Sequence, residues 1–385
     1  MPIQLPRSAK IVAVIVAILW FTHRAAIEIM IDWMWFDAAG YLGVFETSLK
    51  ARILLFVGGA VAAALVIGTN LSIAAKRAPI DPRAFRLVSG EVVVDPARVA
   101  SLAKVVGWLV TLLPALVFGM VASSLWLEVL SFFHRVPFDV TEPVFGHDVS
   151  FYVFELPMLA YARSIAVGMV VISLIASAVY YLFQQSTVGQ GPQPIPVAGI
   201  RHLLALAGVL FLLAAVGWWL DRFDLLFQKD GAVWGVGYTD EHARIPAFGM
   251  MAVVSVLVGL AMLKSAMSGA LKLPVTALGG YFIAQMILSS AWPGVVQEYS
   301  VKPNELGMES QYLERNIAST RAAFALERIE VKPFDASTDL TMEDLEANPK
   351  TIENIRVWDD RPLLTTLRQM QEIRLYYDFA DVDVD

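Results

Sequence analysis

Long runs of Val, Leu, Ile, Ala and Phe, broken by short polar stretches, carry this chain as far as residue 292, and polar positions dominate from there on. Roughly 20 helical residues cross a hydrocarbon layer about 30 Å thick. Seven runs are read as such crossings: 11–27, 53–73, 105–126, 156–182, 203–220, 247–267 and 273–292. The pattern therefore predicts an all-α polytopic membrane protein with seven transmembrane helices, a membrane domain over 1–292 and a water-facing segment over 293–385. Between the first two runs, residues 28–50 mix Trp33, Trp35, Phe36, Tyr41 and Phe45 with Asp32, Asp37 and Glu46. Such a mixture fits a helix or turn resting at headgroup depth. Residues 186–197 hold Gly189, Gly191, Pro192, Pro194 and Pro196, a turn-rich linker between a four-helix part and a three-helix part. No repeat relates the two parts, which counts against an inverted-repeat transporter.

The water-facing segment reads as mainly helical. Over 309–326 Leu313, Ile317 and Phe324 share one side of a helical pattern, with Glu314, Arg315, Arg321 and Glu327 on the other. Thr341 and Asp344 have capping-box spacing. Asp360 is placed to cap a further helix with Pro362 in its first turn and Leu363, Leu364, Leu367 and Met370 as its apolar stripe. Residues 373–379 alternate well enough for a strand. A strand there lacks a partner, so the expectation is a chain cut before its sheet is complete.

Composition agrees with lipid as the main solvent. Of the 385 residues, 57% are apolar and 17% charged, against roughly 45–50% and about 25% in soluble domains. Cysteine is absent, which removes disulfides, thiolate chemistry and cysteine metal sites. The net charge of −7 is unevenly placed, because residues 293–385 carry 19 acidic and 10 basic side chains. Without a basic patch, nucleic acid is not an expected partner, whereas membrane lipid is. Arg7 and Lys10 precede the first run, yet no small-residue cleavage site follows, so this start is read as a retained span.

Loop charge then orients the spans. The N-terminus and the second connection, with Lys76, Arg77, Arg83, Arg86, Arg98 and Lys104, read as cytoplasmic. The third connection (Glu128, Asp139, Glu142, Asp148, Glu155) and the fifth (Asp221, Asp224, Asp230, Asp240, Glu241) are acidic and read as external. An odd number of spans then puts the acidic segment outside the cytoplasm, in a multi-pass protein of the cell membrane.

Two external stretches and four buried polar positions are the candidate chemistry. Asp139, Glu142, His147 and Asp148 in one stretch, and Asp240 and His242 in the other, are hard oxygen and imidazole donors. They could hold calcium or a similar hard cation, although their spacing is not that of a known calcium loop and a turn network is the plainer reading. Arg163, Lys264, Gln285 and Asn70 fall within or near spans, where polar groups mark a conduction path, a helix–helix hydrogen bond or a snorkelling side chain. Gly58, Gly59, Gly279 and Gly280 allow close helix approach. No phosphate-binding glycine loop, zinc helix or nucleophile elbow occurs, so the chain is not read as an enzyme and no cofactor is predicted.

Several long stretches resemble the uncharacterised protein family 0182 (UPF0182) of large bacterial and archaeal membrane proteins. They are 142–157 (EPVFGHDVSFYVFELP), 237–246 (GYTDEHARIP), 314–321 (ERNIASTR), 351–359 (TIENIRVWD), 361–364 (RPLL) and 371–379 (QEIRLYYDF). The resemblance implies seven spans followed by an external region longer than the one present, and hence an N-terminal part of such a protein. It implies no activity. The expected role is anchoring an external domain that binds an envelope partner or assembles with copies of itself, and transport through a polar path is the alternative.

Overall fold

The computed structural model describes residues 7–79, 96–186, 195–229, 234–333, 338–355, 359–371 and 379–382. The secondary structure is helical: α1 (Arg7–Ala38), α2 (Leu42–Arg77), α3 (Pro96–Ser124), α4 (Trp126–Phe133), α5 (Leu156–Ser186), α6 (Val197–Asp224), α7 (Ile245–Ser268), α8 (Lys272–Met286), α9 (Trp292–Val296), α10 (Glu305–Ala323), α11 (Met342–Ala347), α12 (Pro349–Glu353) and α13 (Asp360–Gln371). Among the described residues six helices are long and apolar enough to cross a membrane. They contain α2, most of α3 and of α5, α6, α7 and α8, and the expected first span lies in α1, which is helical throughout. Most of the 186–197 linker and nearly all of the 373–379 strand lie outside the described residues.

The chain forms two compact units, Met1–Thr320 and Arg321–Asp385. In the first, α3 packs on α2, α2 on α5, α5 on α6, α6 on α7 and α7 on α8. Small residues set the closest approaches. A Cβ on Gly59 would lie 2.7 Å from Ala122 Cβ, and one on Gly119 would lie 2.8 Å from the Phe56 carbonyl. Gly208 and Gly259 do the same for α6 and α7, each with a Cβ position 3.0 Å from the other's carbonyl. Gly58, Gly279 and Gly280 meet nothing within 4 Å, so only Gly59 of the four expected glycines serves close packing. Ala63, Ile67, Ala115, Phe118 and Met169 fill the α2–α3–α5 core, and Leu204, Val258 and Met262 the α6–α7 core. Outward positions are equally apolar: Leu54, Trp108, Val253 and Phe282 are 60–72% exposed. A molecule apolar on both its inside and its flanks requires lipid around it.

The helices are not uniform α. Among the described residues four turns widen to π geometry: Phe151–Glu155, Asp240–Arg244, Ile287–Ala291 and Gln297–Val301. Each is followed by one residue and then a proline: Pro157, Pro246, Pro293 and Pro303. Proline lacks an N–H, and its ring collides with the carbonyl four residues back. Those carbonyls belong to Val153, His242, Ser289 and Tyr299, the middle residue of each π turn, so widening relieves the collision. Because the helix absorbs Pro293 and Pro303 in this way, it does not end at 292. A helical run continues from Lys272 to Ala323, 52 residues, about two and a half times what hydrocarbon needs at ~1.5 Å per residue.

Loops gather at opposite ends of this unit. Connections three and five meet α10 at one end, where Leu225, Val236 and Tyr312 form a cluster that Val144, Tyr238 and Leu313 extend. Connections two and four meet at the other through Ala74, Ala78, Tyr181 and Ile195. We call these the acidic and the basic end after their side chains. At the basic end Gly269 (φ +79°) closes α7 in the left-handed conformation that glycine tolerates best.

In the second unit, Thr341 and Asp344 form the expected capping box, with Asp344 N donating to Thr341 Oγ1 (3.3 Å) and Thr341 N to Asp344 Oδ2 (3.0 Å). The cap of α13 is Asp359 and not Asp360. Its Oδ1 accepts from the N–H of Arg361 at 3.0 Å, the reach of an N-cap to the second helical residue.

Candidate functional site

The first candidate stretch, in connection three, folds onto itself. Thr141 and Asp148 pair as an isolated bridge, and Asp139 takes a positive φ of 56° to make the turn. The Glu142 carboxylate accepts from the N–H groups of Val144 (2.6 Å) and Phe145 (2.8 Å) and from the Tyr152 hydroxyl (2.9 Å). Asp148 accepts from Phe138 N (3.1 Å) and Ser150 N (2.8 Å). Bonds from Ser150 and Phe138 to its charged form hold Asp148 down to a pKa of about 2. His147 stacks on Phe151 with centroids 4.5 Å apart and lies against Phe223.

The second stretch uses the same device and adds α10. Gly237 N donates to Asp240 Oδ2 (3.0 Å), and Tyr238 N is shared by the two oxygens of Glu309 (3.2 and 3.3 Å). A Cβ on Gly237 would lie 3.0 Å from Glu309 Oε2, so the carboxylate sits tightly against this glycine. Asp240 pairs with Arg244 (3.0 Å), and Arg315 with Glu241 (3.2 Å). Thr239 donates its hydroxyl to Gln297, and Asn316 donates to the Trp234 carbonyl. His242 stacks on Tyr238 at 4.1 Å, with the Tyr312 hydroxyl 3.5 Å from its Nδ1. Burial pushes the pKa of Glu309 up, and the neighbouring Asp240 and Glu305 add to this. On α10 the buried face is thus Glu309 and Tyr312, with Leu313 half-covered. The expected Ile317 and Phe324 are 56% and 74% exposed.

Val144 joins the two stretches through the Leu225–Val236–Tyr312 cluster. Their metal-type donors nevertheless do not come together. Among the described residues no group of three His, Asp or Glu side chains is placed to hold an ion. Glu142 and Asp148 turn their oxygens to the backbone of their own loop, and Asp240 serves its own turn and Arg244.

The four polar positions in the spans also separate. Arg163 lies between α5 and α6, donating from Nε to the Leu213 carbonyl (3.3 Å) and covering Gly217, where any Cβ would strike its guanidinium. One turn further along that face is Asp221. Lys264 is exposed on α7 and Gln285 half-buried on α8. Asn70 has a partner that sequence reasoning missed. Its amide donates to the Val66 carbonyl (2.7 Å), which leaves Oδ1 to accept from His202 Nε2 (3.0 Å). His202 Nδ1 is then an acceptor, and the Tyr181 hydroxyl reaches it at 3.1 Å. His202 is 5% exposed and Tyr181 fully buried, so three spans are tied by one polar chain inside the bundle. The signal was present in principle, as His202 directly precedes the 203–220 apolar run on the same helix, where a buried ring needs a partner.

Beside this chain a cleft of about 640 Å³ opens between α2, α6 and α7. Asn70 and His202 are in its wall, as are Arg77 and Arg201, whereas Arg163, Lys264 and Gln285 are not.

A model of the uncharacterised protein family UPF0182 matches residues 9–385. A UPF0182 protein of Cupriavidus necator is 38% identical over 97% of this chain and 41% of its own length. Others, from Pelobacter propionicus and Trichodesmium erythraeum, are 33% and 32% identical, again over 97% of this chain. The chain spans about two fifths of the length of these relatives. No solved structure matches.

Proposed function

Because the chain belongs to the uncharacterised family UPF0182, a group defined without reference to any reaction, we propose a function from its geometry: it is a seven-span, non-catalytic anchor holding an extracytoplasmic region for binding or assembly at the envelope. The observation that carries this reading is the acidic end. There Glu309, Tyr312, Arg315 and Asn316 of α10 are fastened to connection five by hydrogen bonds, an ion pair and a shared apolar cluster. A chain that only had to leave the membrane would not need to be locked to the bundle at its point of exit. The separation of Asn70, Arg163, Lys264 and Gln285 supports the same reading over a continuous polar path. The seventh span is the 11–27 run within α1. Loop charge supports an internal N-terminus and an external acidic end.

The cysteine-free sequence makes orientation testable without background. Single cysteines replacing Thr338 and Pro79, both exposed, are labelled in intact cells with an impermeant maleimide. Label on Thr338→Cys alone is expected, and label on Pro79→Cys alone would reverse the topology. The buried Asn70–His202–Tyr181 chain is the observation that favours transport as a second reading. Ion flux into liposomes that falls on both Arg163→Gln and His202→Gln substitution would support it over anchoring.

A further inference from the structure

The cleft at the basic end carries chemistry that anchoring does not require. Arg77 donates from one Nη to the Ala198 carbonyl (3.1 Å), which lays its guanidinium over the first turn of α6. Arg201 is three residues further along the same face and is exposed. Guanidinium has five N–H groups, so Arg77 keeps donors beyond the one used. The positive end of the α6 dipole lies at the same place. Among the described residues lining the cleft none is a carboxylate, and two are arginines.

The remaining wall is apolar, built by Leu206, Val209 and Met267 among others. Val209 is 38% and Met267 69% exposed on flanks that face lipid. Such a surface offers nothing to a small soluble anion, and the arginine pair offers nothing to a plain hydrocarbon. A molecule that satisfies both carries an anionic head and an apolar tail. The volume of about 640 Å³ is in the range of pockets that enclose a drug-sized group.

We propose that this cleft binds one anionic phospholipid, its phosphate held by Arg77 and Arg201 and its acyl part along Leu206, Val209 and Met267. Basic pockets between spans recognise acidic headgroups by these means. The inference is independent of the anchoring reading, since an anchor or a transporter could use such a lipid alike.

The test uses the full-length protein in detergent, read by native mass spectrometry and thermal shift with phosphatidylglycerol, phosphatidylcholine or inorganic phosphate added. Phosphatidylglycerol is expected to be retained over phosphatidylcholine, with a loss of roughly fivefold for each arginine neutralised in Arg77→Gln and Arg201→Gln. Val209→Trp, which fills the apolar wall, should weaken the lipid while leaving both arginines in place. Arg222→Gln, at the acidic end, serves as the charge-matched control and should change nothing. Arg201 is exposed, so its variant tests the site without disturbing the core. Equal retention of both lipids, an unchanged Arg201→Gln, a loss in Arg222→Gln as large as in the cleft variants, or phosphate alone reproducing the stabilisation would each overturn the proposal.

Discussion

At the level of single residues, the acidic end is built from carboxylates that accept backbone N–H groups, and two of them respond to pH in opposite ways. Asp148 is held low, so its bonds to Phe138 and Ser150 persist as pH falls until about 2. Glu309 is pushed up by burial. A carboxyl whose folded pKa is raised contributes stability that is complete below its unfolded pKa and disappears as pH rises through the folded value. Lowering the pH from neutral toward the ordinary carboxylate range should therefore raise the melting temperature through Glu309, and Glu309→Gln should flatten that rise, measured in one detergent. An equal rise in the variant would place the effect elsewhere. Tyr181→Phe removes one bond of the buried chain to His202. It should cost about 1 kcal/mol, within the range of hydrogen bonds between spans, as read from denaturant or thermal unfolding. Sequence picked out Asn70 but not its partners, because a polar residue in an apolar run announces itself while the element it faces does not.

Secondary elements were legible wherever their cause is local. The capping box at Thr341 needs only four consecutive residues and is present as read. The π turns are equally local in origin, each set by a proline two positions beyond it, yet a hydrophobicity pattern does not distinguish them from α. That is why the boundary at 292 became a continuous helix and why α10 starts at Glu305. Glycine roles were the least legible. Gly59, Gly279 and Gly280 look alike in sequence, but only Gly59 has a helix against it. Gly119→Val should destabilise by about 1–3 kcal/mol through overpacking against the Phe56 carbonyl and the Ala60 side chain. Gly279→Ala should be neutral or stabilise by up to about 1 kcal/mol, as for an open helical site. Similar melting temperatures for the two variants would contradict the packing described for α2 and α3.

For the molecule as a whole, the acidic end fastens α10 to connection five. The Arg315–Glu241 pair is 28% and 37% exposed, so solvent screens it. A double-mutant cycle with Arg315→Ala and Glu241→Ala should give a coupling of about 0.2–1 kcal/mol. Zero coupling would leave the Glu309 carboxylate and the Tyr312 cluster as the fastening of α10. The candidate cation donors stay apart, as a turn network has them: the stretches containing His147 and His242 meet through Val144, but each imidazole stacks on its own aromatic neighbour, and Glu142, Asp148 and Asp240 accept from N–H groups of their own turns.

The order of amino acids was enough to set the solvent, the all-helical multi-span class and the division of charge between loops. Transfer of apolar side chains into lipid, and the cost of moving lysine and arginine across it, depend on composition along the chain and not on contacts. Which polar groups meet was settled only by folding: Asn70 with His202 and Tyr181, Glu309 with Tyr238, and Arg77 beside Arg201. Those pairings join helices up to 132 positions apart, and only the packing of one apolar helix on another brings such distant residues within hydrogen-bond reach.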